Sequence, residues 1–288
     1  MKRLNRAIEL LEQGQPIYYT GVGEPTYYGG IKASQTWADY IIFEMEHEMY
    51  NIRALDEFMR GLTAGGPTRS GHRTPAVLVT LPTDGTDESV IRANAWMIKQ
   101  VLARGIHGIL LCHVETPGAA KALVESVRYP FHTIGVGDGV NTGRRGNGGQ
   151  GNAASIWGIS VEEYFEKADV WPLNPDGEIM LGLKIENRRA LTNAEATVAV
   201  SGIAFAEWGP GDMAFSFGYR DRPSPYPEEL QHARTRVLSA CKSANIAFLD
   251  GVTPENVIDK IDEGVRVCAG GEESAEVGRK HTNREMPW

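Results

Sequence analysis

The chain has 288 residues, of which 42% are hydrophobic and 23% are charged, a composition typical of one folded α/β domain with a sizeable core. Its formal charge of −8 and its pI of about 5.5, with no lysine- or arginine-rich run, argue against nucleic acid as a partner. No apolar run approaches the roughly 20 residues that span a bilayer, and the N-terminal segment predicts an amphipathic helix, not a signal peptide, so we expect a cytoplasmic protein without a membrane partner.

Strand-length apolar runs alternate with helical patterns along the whole chain. The predicted strands cover residues 16–20, 40–43, 75–80, 108–112, 180–186, 203–207, 246–249 and 265–269. The predicted helices, after the N-terminal one, cover residues 33–38, 51–62, 87–104, 116–127, 160–168, 190–200, 227–244, 254–263 and 274–280. Alternation favours parallel pairing and eight strands favour closure, so we predict a single (β/α)8 TIM barrel over residues 1–288. A doubly wound open sheet is the alternative that periodicity leaves open.

Two segments depart from this rhythm. Residues 131–178 form a long excursion whose first part, 136–151, is too rich in glycine to form a regular element cheaply. Long loops inside compact domains are usually functional, so we interpret this one as an active-site lid or a subunit contact that contributes Arg144 or Arg145. The polar tail, residues 271–288, is predicted to pack on a neighbouring subunit.

The three cysteines are predicted to be buried, reduced thiols. Cys112, Cys241 and Cys268 form an odd set without CxxC spacing, and each lies in or beside an apolar segment. Disulfide frameworks and zinc sites have other spacings, so we expect neither here.

Acids and an imidazole follow the second strand. On a strand of period two, Glu44 and Glu46 would share one face, and His47 would lie at the turn where the carboxyl end of the strand meets solvent. The alternative is a charged helix start, in which Glu48 serves only the helix that follows. His113 and Glu115 reach a carboxyl end in the same way after the fourth strand.

Two further carboxylates, Glu186 and Asp212, follow two successive strands and each begins a polar turn. Carboxyl ends of the strands are where a (β/α)8 barrel keeps its chemistry. Because Mg2+ is typically held by one or two carboxylates, the pair predicts a metal site. Two unrelated surface acids are the alternative.

Three segments together resemble motifs of the HpcH/HpaI aldolase family. Residues 41–47 resemble its motif of two aliphatic residues followed by Asp, Gly, Glu and His, with Glu44 in place of the aspartate. Residues 184–187 are similar to Gln-Ile-Glu-Thr, and residues 209–214 are similar to Gly-Pro-Ala-Asp-Leu-Ser. The likeness covers most of the chain and also includes residues 128–130 and 145–146.

This resemblance implies a metal-dependent class II lyase of 2-oxo acids on a (β/α)8 barrel. It implies that Glu186 and Asp212 bind Mg2+, Mn2+ or Co2+, that His47 is the acid/base and that Glu44 orients it. A 2-oxo acid would chelate the ion, and the enolate formed on carbon–carbon cleavage would be stabilised by it. The resemblance also implies a homo-oligomer, with a hexamer suspected, and a role in aromatic compound catabolism.

One departure from the family concerns the substrate. The family has an arginine before the proline that closes the third strand, whereas this sequence has Leu81. Lys184, Arg145 or His113 would then supply the positive charge, and Gly211, within the third motif, is also predicted to contact the substrate.

Other functions stay open from the residues alone. Lys184 on a barrel strand would suit a Schiff-base aldolase. A metal-dependent decarboxylase of oxaloacetate, or a lyase acting on an acyl-CoA or an aromatic substrate, would fit the missing arginine. A barrel that binds a small acid without catalysis is the remaining alternative.

Overall fold

Eight parallel strands close into a barrel in the computed structural model, which describes residues 3–287. The strands are β1 (Ile17–Gly21), β2 (Tyr40–Phe43), β3 (Ala76–Val79), β4 (Gly108–Leu111), β5 (Val170–Trp171), β6 (Ile179–Lys184), β7 (Phe205–Glu207), β8 (Ala247–Gly251) and β9 (Val265–Ala269). Closure comes from the pairing of β1 with β9 and of β4 with β6, while the short β5 adds to β6 outside the ring of eight. The predicted TIM barrel is confirmed and the open sheet is wrong.

Helices surround the barrel. They are α1 (Arg6–Glu12), α2 (Tyr27–Ala33), α3 (Ile52–Ala64), α4 (Glu88–Leu102), α5 (Pro117–Val127), α6 (Gln150–Trp157), α7 (Val161–Lys167), α8 (Arg188–Thr192), α9 (Ala194–Val198), α10 (Pro210–Ser216), α11 (Glu228–Ala244), α12 (Val257–Glu263) and α13 (Glu272–His281). Asn51, Asp87 and Thr116 cap α3, α4 and α5 with their side chains, and Ser160 forms a capping box with Glu163 at α7. In residues 3–287 no helix combines the length and the apolar character needed to cross a bilayer.

The helix predicted over residues 33–38 is wrong, because the helix lies earlier, in α2. The Thr26 side chain accepts a hydrogen bond from the amide of Gly29 and so sets its start. A Cβ on Gly30 would lie 2.2 Å from the carbonyl oxygen of Phe58, so α2 and α3 pack backbone against backbone. Glycine is a poor helix former, so the sequence does not indicate a helix over Tyr27–Ala33. The close packing of α2 on α3 compensates for this low helix propensity. The short elements β5, α6 and α10 were also not predicted, and the helix expected over 190–200 is divided into α8 and α9.

Apolar side chains fill the inside of the barrel and leave polar groups at its ends. The interior cluster is built from alternate strand residues, among them Tyr40, Leu78, Met180 and Phe205. Residues of α1 belong to the same cluster and close the amino end of the barrel. A Cβ on Gly182 would lie 2.1 Å from the Phe205 ring, so only glycine fits there. Solvent therefore reaches the interior from the carboxyl end of the strands.

The excursion, residues 131–178, lies at the amino end of the barrel. It connects the end of α5 to the start of β6, and the indole of Trp157 donates to the Gly105 carbonyl at 2.8 Å and stacks on His107, just before β4. Arg145 is buried beside Tyr129 and Tyr164 and donates to the Tyr164 hydroxyl at 2.6 Å. The excursion therefore lies away from the carboxyl end of the strands, and Arg145 is engaged by Tyr164 within it. The predicted lid and the predicted contact of Arg145 with the substrate stay predictions.

Arg144 is exposed on the same segment, beside Arg92 and Lys99 on the outside of α4. The position of the excursion does not bear on its predicted contact with another subunit. It stays a prediction.

The C-terminal tail packs on its own barrel. Arg279 and Arg284 both reach the fully buried carboxylate of Asp39, with Arg284 Nη2 2.6 Å from Asp39 Oδ1, and Arg6 contacts the same oxygen at 2.8 Å. Three guanidinium groups around one carboxylate attach the tail to the segment before β2 and to α1. The segment predicted to pack on a neighbouring subunit is therefore largely engaged within its own chain.

The cysteines are buried free thiols, as predicted. Burial raises the pKa of Cys241 to about 12, and burial likewise raises the pKa of Cys112 and Cys268 well above the ordinary value. Thiols with such raised pKa values are not ionised at neutral pH and are inert as nucleophiles.

Candidate active site

Three side chains meet at the carboxyl end of the barrel. Glu46 comes from the turn after β2, His113 follows β4 and Glu186 follows β6. One donor atom from each lies within 4.8 Å of the others. The Nε2 atom of His113 is 3.7 Å from Glu46 Oε1, and its Nδ1 atom is 3.6 Å from Glu186 Oε1. The set of two carboxylates and one imidazole is one that divalent ions accept.

The turn after β2 directs Glu46 into the mouth of the barrel. The Glu44 carboxylate accepts hydrogen bonds from the amides of Glu46 and His47 at 2.7 and 3.0 Å, and the Thr80 hydroxyl accepts one from the Met45 amide at 2.8 Å. As a result only 6% of the Glu46 side chain is exposed, against 72% of His47. The predicted shared strand face of Glu44 and Glu46 is wrong, because the strand ends at Phe43.

The predicted roles of His47 as the acid/base and of Glu44 as the group that orients it stay predictions. The Nε2 atom of His47 lies 3.8 Å from Glu46 Oε1, so the exposed imidazole is at the edge of the cluster. Glu44 reaches His47 through the main chain, and it thereby sets the position of the turn more directly than that of the ring.

Glu186 is buried and closely surrounded. Its Oε1 atom accepts the backbone N–H of His113 at 2.8 Å, and a Cβ on Gly209 would lie 2.4 Å from its Oε2 atom. Burial raises the pKa of Glu186 to about 9, although Lys184 and the His113 amide act in the opposite direction. Without an ion, the carboxyl group therefore holds a proton at neutral pH.

Lys184 lies between the carboxylates as an ammonium group. Its Nζ atom is 2.6 Å from Glu46 Oε2 and 3.9 Å from Glu186 Oε2. Burial alone would lower the pKa of Lys184, but the acids around it, Glu186 and Glu207 by charge and Glu46 by a hydrogen bond, raise it above its ordinary value. A Schiff base requires the free amine, so this arrangement opposes that alternative.

Glu207 was missed by the sequence analysis. It ends β7 opposite Lys184 in the strand register, two residues after the inward-facing Phe205. Burial raises the pKa of Glu207 to about 7, with Lys184 opposing the shift and Glu46 adding to it. The period-two pattern of β7 would have shown that an acid at this position faces the barrel interior.

The raised pKa of Glu207 predicts a pH-dependent stability. Its carboxyl group ionises near pH 4.5 when unfolded and near pH 7 when folded, so the folded state holds the extra proton between these values and stability falls as pH rises through them. Between pH 5 and 8, we expect the free energy of unfolding of metal-free Glu207→Gln to fall by on the order of 2 kcal/mol less than that of the wild type. Urea denaturation across that range measures this, with exposed Glu166→Gln as the control. Parallel curves for wild type and Glu207→Gln would contradict the prediction.

Asp212 and Gly211 lie in the first turn of α10, at the same end of the barrel. Asp212 is half-buried, and its charge contributes to the raised pKa of Glu207. It is not one of the three side chains whose donor atoms converge within the described part of the chain. A Cβ on Gly211 would meet nothing within 4 Å, so the space beside it is open. Their assignments as metal ligand and substrate contact stay predictions.

A cavity of about 390 Å³ opens at the same end of the barrel, between the loop after β1 and the turn after β2. Its walls include Gly21, Gly23, Phe43, Glu44 and Met49. Glu44 thus belongs both to the wall of the cavity and to the turn that presents Glu46 and His47. The cavity is large enough for part of a small substrate.

Comparisons with known proteins agree with this architecture. A model of the HpcH/HpaI aldolase/citrate lyase family matches residues 31–279. The chain is 28% identical over 250 residues to a hydroxypyruvate/pyruvate aldolase from Pseudomonas aeruginosa, covering 86% of this chain and 80% of that protein. It is 30% identical over 172 residues to a 2-keto-3-deoxy-L-rhamnonate aldolase from Klebsiella pneumoniae, covering 58% of this chain and 57% of that protein. A crystal structure of an HpcH/HpaI aldolase/citrate lyase family protein from Burkholderia cenocepacia J2315 matches with a TM-score of 0.71 at 20% identity, over 96% of both chains.

Proposed function

The chain belongs to the HpcH/HpaI aldolase/citrate lyase family and is a carbon–carbon lyase of the class II aldolase type, and from this premise we propose that it cleaves or forms a carbon–carbon bond in a 2-oxo-hydroxy acid with the help of a divalent ion. The observation that carries the proposal is the convergence of Glu46, His113 and Glu186 beside Lys184 at the carboxyl end of the barrel. The substrate class follows the names of the relatives, which act on pyruvate, hydroxypyruvate or a 2-keto-3-deoxy acid.

The donor set fits Mg2+, Mn2+ or Co2+. Glu186 offers a carboxylate in a site almost closed to solvent, and Asp212 offers a second one from the start of α10. Hard divalent ions take oxygen ligands of this kind. When bound, the ion supplies Lewis-acid stabilisation of the charge that develops on the 2-oxo group.

The chain's own residues would do the remaining work. Lys184 supplies positive charge next to the acids and attracts the carboxylate of the substrate, since Leu81 is buried in the core and offers none. His47 is exposed at the mouth, and it would take the proton of the substrate's aldol hydroxyl on cleavage and return it on bond formation. The cavity beside Glu44 would hold the aldehyde part.

The same site supports a second candidate. Because Leu81 provides no cation, a substrate that is anchored differently from pyruvate aldols would also fit. Decarboxylation of oxaloacetate, or lyase chemistry on an aromatic substrate, would use the same residues. A cytoplasmic location and assembly into a homo-oligomer complete the proposal.

Product analysis tests the function. Purified protein is incubated with a panel of 4-hydroxy-2-oxo acids with Mn2+, Mg2+ or Co2+, and released pyruvate or hydroxypyruvate is measured with lactate dehydrogenase. We expect release of one of these products, its loss with EDTA and its return with excess ion. No release with any ion would overturn the proposed function. Carbon dioxide from oxaloacetate without aldol turnover would favour the second candidate.

A further inference from the structure

We infer that the imidazole of His113 is itself a ligand of the divalent ion, together with Glu46 and Glu186, so that the site prefers Co2+ or Mn2+ to Mg2+. The inference rests on the proposed function, because it concerns the same metal site. It changes the site from one built of carboxylates alone to one with a nitrogen donor.

The first observation is a buried carboxylate oxygen without a partner. Within residues 3–287, no N–H or O–H group hydrogen-bonds to Glu46 Oε1, although the atom is buried and only 6% of the side chain is exposed. The Cys112 thiol, a weak donor, lies beside the same carboxylate. The other oxygen of the same carboxylate is held by Lys184 at 2.6 Å. The lysine therefore fixes the group so that Oε1 faces the rings of His113, at 3.7 Å, and of His47, at 3.8 Å; of the two rings only that of His113 also lies beside Glu186. A buried acceptor left unpaired is unfavourable, and an ion at this position would satisfy it.

The second observation is the place of the ring. Its nitrogens lie 3.7 Å from Glu46 Oε1 and 3.6 Å from Glu186 Oε1, distances too long for hydrogen bonds. These two distances belong to different nitrogens of the ring. One ring nitrogen and one oxygen of each acid lie within 4.8 Å of one another, and adjacent ligands of an octahedral ion with bonds of about 2.1 Å are roughly 3 Å apart, so binding one ion requires a contraction of up to about 2 Å. An imidazole binds through one nitrogen, and its other nitrogen is then available to a carboxylate, as metal-bound histidines usually require.

The third observation is the backbone of His113. Its φ is 50°, in the left-handed region that side chains other than glycine and asparagine rarely adopt. In this conformation its amide donates to Glu186 Oε1 at 2.8 Å while its ring lies next to Glu46. One residue thus contacts both acids, through the main chain and through the ring. Strained conformations persist where surrounding contacts determine them, and they concentrate at functional sites.

The nitrogen donor has a consequence for ion choice. Imidazole binds Co2+ and Mn2+ better than it binds Mg2+, which takes oxygen ligands and keeps its waters. Asp212 remains available to complete the set from α10. Removal of the imidazole should therefore lower the affinity for Co2+ strongly and the affinity for Mg2+ only slightly.

The test compares ion affinities of the full chain by isothermal titration with Co2+, Mn2+ and Mg2+. His113→Asn is the informative variant, because asparagine tolerates the left-handed backbone. His47→Asn is the matched control, since it removes the neighbouring imidazole. We expect His113→Asn to lose about 10- to 100-fold in Co2+ affinity and under threefold in Mg2+ affinity, with Co2+ binding of His47→Asn within threefold of the wild type.

A spectroscopic readout makes the test independent of the folding of His113→Asn. Mn2+-loaded His47→Asn should show electron spin echo modulation from a coordinated imidazole nitrogen. Absence of that modulation, or wild-type Co2+ affinity in folded His113→Asn, would overturn the inference and leave the proposed function standing, provided that the wild type binds the ions. A wild type that binds none of the three ions would overturn both.

Discussion

Glu186→Gln is expected to lower kcat/KM by at least about 10³-fold and to abolish stabilisation by Mn2+, without destabilising the metal-free barrel. The loss corresponds to about 4 kcal/mol of transition-state stabilisation and reflects the removal of a metal ligand. Glutamine is neutral and of the same shape as the protonated carboxyl group, whose pKa is raised to about 9 by burial. Steady-state kinetics and thermal unfolding with and without Mn2+ measure both effects.

The stability of the metal-free wild type should depend on pH through Glu186. The unfolded carboxyl group ionises near pH 4.5 and the folded one near pH 9, so the wild-type stability falls as pH rises between them. Metal-free Glu186→Gln lacks this loss and should be at least as stable as the wild type at pH 8. The control is Glu125→Gln, because Glu125 is a buried acid paired with Arg92 outside the site.

The two glutamine variants should behave in opposite ways. We expect Glu125→Gln to lose about 2 kcal/mol of stability with an unchanged kcat/KM, because the change affects the ion pair with Arg92 and the hydrogen bond from Asn141, both outside the site. A Glu186→Gln protein that still binds Mn2+ like the wild type would contradict the assignment of Glu186 as a ligand.

Lys184→Met is expected to destabilise the metal-free protein by about 3 kcal/mol and to lower kcat/KM at least about 100-fold. The variant leaves the ionised carboxylate of Glu46 without the ammonium group that lies 2.6 Å from it. Removing one partner of a buried pair leaves an uncompensated charge, and it also removes the charge that would hold the substrate. Urea denaturation and kinetics measure the two effects.

A divalent ion should compensate for the missing ammonium, so Mn2+ should stabilise Lys184→Met more than it stabilises the wild type. Lys32→Met is the control, because that lysine is 77% exposed, its contact with Glu24 is 3.4 Å long, and such surface pairs contribute little. Equal stability of metal-free Lys184→Met and wild type would contradict the prediction. Borohydride trapping with pyruvate should give no adduct in the wild type, and an adduct would restore the Schiff-base alternative.

The position of Lys184 supports its proposed role in place of the arginine that Leu81 replaces. Leu81 is 1% exposed and packs in the outer core, so no cation reaches the mouth from the end of β3. A lysine on β6, paired in register with Glu207, places positive charge in the mouth from a different strand. The substrate's carboxylate would accordingly be held from another side than in the family pattern.

Sequence patterns alone determined the barrel and the end of it that carries the polar groups. Strand-length apolar runs, helix periodicity and caps such as Asn51 and Asp87 are local properties, and local properties survive into the fold. The same holds for Glu186, because an acid directly after a barrel strand must lie at the carboxyl end whichever neighbours it has.

Tertiary structure decided which of these residues meet. Glu46, His113 and Glu186 are brought together by closure of β4 against β6 and by the turn that Glu44 holds, and the spacing of residues along the chain does not specify that geometry. The position of residues 131–178 at the amino end, in contrast, follows from chain order, because they connect the end of a helix, α5, to the start of a strand, β6. Contacts between distant loops depend on how the barrel closes, and this is set by the packing of its whole interior.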